Sequence, residues 1–271
     1  MKKALEYIGI TFLFVISFIY TNKIANIIKN EDPIMQTILQ IKENTKIESV
    51  NAVINDDEII PGKSGCEIDE NKSYEDMKKI NRYNFNMLKY KDLVPEITIN
   101  NIYNKYISSG NNIKRNISIV VYINDNVEYI KNIDTKLNIF LDSSLLLNGK
   151  VDVGNNKRIY NGGNNKNYDD ITIEWVNDVI TTNYNEPRYC LNIDKDDDNL
   201  VVCARNRMHS ISPKIILNKN NIYDSKSNIT NGSIIYLDEN NIDKLKNIID
   251  YITKKGYDIV YLDELLTEKS C

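Results

Sequence analysis

Histidine occurs once, as His209, among 271 residues. That scarcity excludes every site needing two imidazoles, whatever the fold. The four cysteines, Cys66, Cys190, Cys203 and Cys271, show no Cys-x-x-Cys spacing and no neighbouring histidine, which excludes a zinc finger or a thioredoxin-like motif. Unpaired thiols are the expected state; a Cys190 to Cys203 bridge is geometrically open, but spacing does not establish it. An excess of one charge is also lacking. The 34 basic and 38 acidic side chains give a net charge of -4, and they are interleaved, so no basic face is present for nucleic acid. Ala, Gly and Pro are scarce while Ile, Asn and Lys abound, a bias attributed to an AT-rich coding sequence. Asn-x-Ser/Thr matches at Asn116 to Ser118 and Asn231 to Ser233 therefore carry little weight. The remaining composition, 42% hydrophobic and 27% charged, is ordinary globular balance, with material for one medium domain and a smaller appendage.

Only one long hydrophobic run occurs. Lys2 and Lys3 precede an apolar stretch from Tyr7 to Tyr20, closed by Asn22 and Lys23. With Ala4 and Leu5 it reaches the lower edge of the roughly 20 residues of a membrane span. Lys23 and Ala25 do not supply the small-residue pair that signal peptidase needs, so residues 1-30 are read as an uncleaved signal anchor. The preceding lysines place the N-terminus inside and the bulk of the chain outside, a single-pass extracytoplasmic arrangement in the cell membrane.

Beyond the anchor, Asp32 and Pro33 open a helix to about Asn44. Residues 51 to 61 read as a hairpin around Asn55-Asp56-Asp57, and Ser73 with Asp76 reads as a capping box. Residues 31-112 are taken as a small α+β appendage, which is itself a candidate partner-binding region. From 113 to 271 strands alternate with helices: Ile117 to Ile123, Leu137 to Leu141, the helix Ile171 to Ile180 capped by Asp169 or Asp170, Tyr189 to Leu191, a helix near Asn199 to Arg205, and Ser210 to Leu217. Ile234 to Leu237, a helix from Ile242 to Lys254 and Ile259 to Leu262 close the chain. Such units imply parallel pairing through right-handed crossovers, in a doubly wound sheet or an incomplete barrel.

The closing unit carries a family resemblance. Asn-Gly-Ser-Ile-Ile-Tyr-Leu-Asp (231 to 238), a helix, and Lys-Lys-Gly-Tyr-Asp-Ile-Val-Tyr-Leu-Asp-Glu-Leu-Leu (254 to 266) resemble the end of the polysaccharide deacetylases, which carry the chitooligosaccharide deacetylase homology domain. In that family a strand ends in Leu-His and a Gly-Tyr strand leads to Leu-x-Glu-Leu. The resemblance covers about 116 to 268 and implies an incomplete or distorted (β/α) barrel. It also implies zinc or another divalent metal, held by an Asp and two histidines. The family's Thr-Phe-Asp-Asp-Gly falls on Tyr122 to Asn126, which leaves Asp125 as a vestigial metal ligand and puts Asn124 at the general-base position, where an amide cannot take a proton. The two metal histidines fall on Gly162 and Lys166, neither a useful zinc ligand. The general-acid histidine falls on Asp238.

The expectation is a membrane-anchored, extracytoplasmic deacetylase-like protein without catalysis or cofactor, binding a cell-wall or surface glycan, or a protein, in the old groove. A metal-dependent amide hydrolase using Asp125, Asp238 and other carboxylates is the alternative. Other arrangements are weaker. His209 reads as a strand residue, and Asp194 to Asn199 lacks the Gly and distant Glu of an EF-hand and reads as a turn into a capped helix. Ile171, Trp175 and Val179 recur at core-packing spacing.

Overall fold

The computed structural model describes residues 2–147, 149–217 and 222–271. Among these the strands are β1 (Val53–Asn55), β2 (Glu58–Ile60), β3 (Gly65–Ile68), β4 (Tyr90–Leu93), β5 (Tyr106–Ile107), β6 (Asn116–Ile123) and β7 (Leu137–Leu141). They continue with β8 (Lys157–Asn161), β9 (Tyr189–Leu191), β10 (His209–Ile211), β11 (Ile215–Leu217), β12 (Ile234–Asp238) and β13 (Asp258–Ile259). Contacts divide the chain into two compact units, one of residues 1–49, 64–94 and 270–271, the other of 50–63 and 95–269.

In the first unit α1 (Lys2–Glu31) is apolar over Ile10–Glu31, with a mean hydropathy of 1.5 and no part of it buried. By length and composition it can cross a membrane. The helix α2 (Pro33–Thr45) starts where expected: the Asp32 carboxylate accepts the Ile34 amide at 2.9 Å, and Pro33 needs no partner for a missing N–H. Its Met35 and Ile38 are buried, and Ile38 packs with Ile68, Met77 and Leu88. The helix α3 (Glu70–Lys79) is capped by Asp69, not by Ser73. The earlier aspartate supplies the cap, and the buried Ser73 hydroxyl instead accepts the Lys89 amide at 2.9 Å. β3 and β4 pair antiparallel.

The second unit holds a curled sheet in the order β1-β2-β5-β10-β9-β8-β7-β6-β12-β11, with β13 also on β6. Apart from the β1–β2 hairpin, every pair is parallel. The central strands are buried on both faces, which accounts for near-continuous runs such as Ile-Ser-Ile-Val-Val-Tyr-Ile. Alternation then separates two cores. Ile119, Val121, Ile139 and Ile159 face the helices, while Val120, Tyr122, Phe140, Tyr160 and Tyr236 fill the concave side.

Three expectations need correction. The run 210 to 217 is two strands, interrupted around Pro213, which cannot donate to a ladder. Its first part pairs with β9 and its second with β12, so the sheet bends back on itself as an incomplete barrel. β5 lies beside the break, where the Gly110 amide donates to Gly232 O at 2.8 Å. Second, a boundary at 112/113 would sever β1, β2 and β5 from the sheet they join. The hairpin is held there by Glu58, whose carboxylate meets Lys214 at 2.6 Å, Lys195 at 2.9 Å and the Ser108 hydroxyl at 2.8 Å. Burial pushes that carboxyl up, but these partners outweigh it and bring it down to about 2. Third, the helix Asp170–Asn183 buries Ile173, Val176 and Ile180, while Ile171 is 82% exposed; Trp175 and Val179 pack at the edge of the core.

The cysteines are paired, Cys66 with Cys271 and Cys190 with Cys203, contrary to the unpaired thiols expected. Spacing could not show this because each pair is brought together by tertiary structure: β3 meets the C-terminal tail, and β9 meets the helix Asp197–Arg205. A loop as short as the Cys190–Cys203 one stabilises by roughly 3 kcal/mol on a chain-entropy account. Thiol titration of the denatured, unreduced full chain should find no reactive cysteine, rising to four on reduction. Four reactive thiols before reduction would contradict both bridges.

Candidate functional site at the barrel mouth

The carboxyl ends of parallel strands form the mouth of the barrel, where side chains from several strands can meet. β6 ends at Ile123, so Asn124 and Asp125 lie just past it, both exposed. Their backbone amides donate to one Glu239 oxygen, at 3.0 and 3.2 Å. Asp238 closes β12 in register with Tyr122, on the concave face, and its carboxylate accepts the Asn241 amide at 2.7 Å. Gly162 follows β8.

Lys166 also follows β8. Residues 162 to 167 are not helical; the next helix begins at Asp170. Gly163, Asn165 and Lys166 have φ of 69°, 50° and 65°. For a lysine that left-handed backbone costs about 1–2 kcal/mol, so the surroundings must hold it.

Asp142 does the holding. It opens the turn after β7, is 3% exposed, and accepts the Tyr122 hydroxyl at 2.8 Å, the Asn165 amide at 2.6 Å, and the Ser144 amide and hydroxyl at 2.9 and 2.6 Å. Burial alone would raise its pKa; the bonds from Ser144, Asn165 and Tyr122 instead keep the carboxyl below its ordinary range. Burial and the adjoining carboxylate push the Tyr122 phenol up, so it stays a donor.

With the loop pinned, the Lys166 ammonium lies 4.9 Å from the Tyr122 ring centre and 5.7 Å from that of Tyr236. Both are cation–π distances. The Tyr236 hydroxyl is buried with no hydrogen-bond partner among the described residues.

The residues present do not fit a divalent metal. Of the two positions to which the resemblance assigns imidazoles, one carries an ammonium over aromatic rings. The other cannot take any side chain without backbone movement: a Cβ on Gly162 would lie 2.5 Å from Leu141 O and 3.0 Å from Tyr122 Cε2. The most buried carboxylate, Asp142, already accepts four hydrogen bonds.

His209 opens β10 and so stands at the amino end of its strand, away from the mouth. Its ring stacks on Tyr103 at 4.5 Å, and burial pulls its pKa down to about 4. In the run 194 to 199, Asp196 caps the helix through the Asn199 amide at 2.8 Å, while Lys195 pairs with Asp57 and Glu58 at 2.9 Å.

Sequence reasoning missed Asp142, Tyr122, Tyr236 and Glu239 as parts of this arrangement. The one usable signal was Asp-Ser-Ser directly after a buried strand, the mark of a side-chain-capped turn.

The class that the fold defines is a curled, incomplete barrel resembling that of solved polysaccharide deacetylase (carbohydrate esterase family 4) structures. The likeness to particular solved structures is consistent. Wild-type BA3943 of Bacillus anthracis, a CE4 family pseudoenzyme, superposes with a TM-score of 0.61 at 18% identity, covering 88% of this chain and 96% of that one. A BA3943 mutant with restored enzymatic activity superposes with a TM-score of 0.58 at 17% identity, covering 88% and 99%. At such identities the likeness is one of fold. No family model and no curated protein sequence matches the chain.

The close approach at Gly162 yields a direct test. Gly162→Ala should lower unfolding free energy by about 1–3 kcal/mol in denaturant titration, as overpacking against backbone does. A neutral result would mean that the site has room for a ligand-bearing side chain.

Proposed function

We propose that the chain is a membrane-anchored, extracytoplasmic protein that keeps the deacetylase fold without the deacetylase reaction, and that its mouth serves to bind a cell-wall or surface glycan or a protein partner. The observation that carries this reading is the pair Gly162 and Lys166. Acetamide hydrolysis in the family, as the resemblance implies, uses a metal to polarise the carbonyl and activate water. Here one ligand position has no room for a side chain and the other is a cation. The base position is an amide, Asn124, and the acid position a carboxylate, Asp238.

Two features support the location. α1 has the length and apolarity of a span behind two N-terminal lysines. Two disulfides suit an oxidising compartment rather than the cytoplasm. The occurrence of a pseudoenzyme among structures of this fold shows that the scaffold outlives its chemistry in another protein. A BA3943 mutant has restored enzymatic activity; in this chain a side chain at Gly162 would meet backbone at Leu141 O.

The test is acetate release by the full chain from chitooligosaccharide and from acetylated peptidoglycan, with added zinc or cobalt. No release above the protein-free blank is expected. Metal-dependent release that Asp125→Ala abolishes would replace this reading with that of an active hydrolase using atypical ligands.

A further inference from the structure

Lys166 lies in the middle of the mouth on a loop that bends unfavourably to put it there. Two consecutive non-glycine residues, Asn165 and Lys166, are left-handed. The Asn165 amide is fixed by Asp142, Asp142 is fixed by the Tyr122 hydroxyl, and the Tyr122 ring is one of the two faces on which the Lys166 ammonium rests. The chain thus closes a ring of contacts from β6 through the turn after β7 to the loop after β8. The second face, Tyr236, comes from β12. One ammonium therefore ties the loop after β8 to two neighbouring strands, β6 and β12. No hydrogen-bond acceptor for it appears among the described residues.

We infer that the Lys166 ammonium is the resident cation of this mouth: it occupies by charge the role that a divalent metal has in a working deacetylase, and it keeps such a metal out. The position is not simply an empty ligand slot. A fixed ammonium at a position to which the resemblance assigns a metal ligand would repel a divalent ion, and the aromatic faces that hold it offer no lone pair to that ion. The inference rests on the non-catalytic reading above but can fail separately from it. Acetate release tests the chemistry, whereas the experiment below reads metal binding and stability.

The experiment compares the full chain with Lys166→Arg, Lys166→Met and Lys166→His, by thermal unfolding and cobalt titration followed by calorimetry. Wild type and Lys166→Arg should share one melting temperature within about 2 °C and bind no cobalt below millimolar concentration. Lys166→Met, isosteric but uncharged, should melt several degrees lower, with no recovery in cobalt. Lys166→His should also melt low and gain no tight cobalt site, since Gly162 supplies no ligand and Asp142 is already committed. Micromolar cobalt binding to the wild type would overturn the inference. So would a Lys166→Met protein as stable as wild type. If Lys166→His does not fold, these two outcomes still decide the matter.

Discussion

The carboxylate of Asp142 is the fixed point of the barrel mouth. It is buried, charged, and stabilised by four hydrogen bonds from three directions. A buried carboxylate lacking any of them would carry a desolvation cost of several kcal/mol, so Tyr122, Ser144 and Asn165 are constrained together. That constraint places the loop after β8, and the loop places Lys166. On the function proposed above, the departure from a metal site is thus more than side-chain replacement, because the backbone of the loop after β8 is set around the Lys166 ammonium.

Much of the scaffold was legible in the sequence. Buried parallel strands announce themselves as unbroken β-branched runs, and Ile117 to Ile123 and Ile234 to Leu237 are found almost as expected. Helix starts with a clear side-chain cap, Asp32 and Asp169, were also readable. What failed were features decided by partners distant in sequence. The Ser73 capping box lost to Asp69 because Lys89 claimed the serine. The hairpin at 53–60 joined the large sheet because Lys195, Lys214 and Ser108 converge on Glu58. Both disulfides lay hidden for the same reason, as no local rule links Cys66 to Cys271.

The mouth divides in the same way. That Asn124, Asp125 and Asp238 follow or close the ends of β6 and β12 was readable from strand order and motif spacing, whereas β8, which Gly162 and Lys166 follow, was not read as a strand. The absence of two imidazoles needed only a residue count. What a count could not show is the environment of Lys166, because cation–π contact depends on the facing of Tyr122 and Tyr236 on two strands. Nor could it show that Gly162 is packed against Leu141 O, since a glycine in an Asn-rich loop reads as a turn residue. Fold alone does not decide chemistry; that argument rests on the residues at the mouth.

The most direct test is metal content. Full-length protein produced in zinc-supplemented medium and purified without chelator should carry far less than one equivalent of zinc or any other transition metal by elemental mass spectrometry. A stoichiometric, tightly held ion would contradict the account.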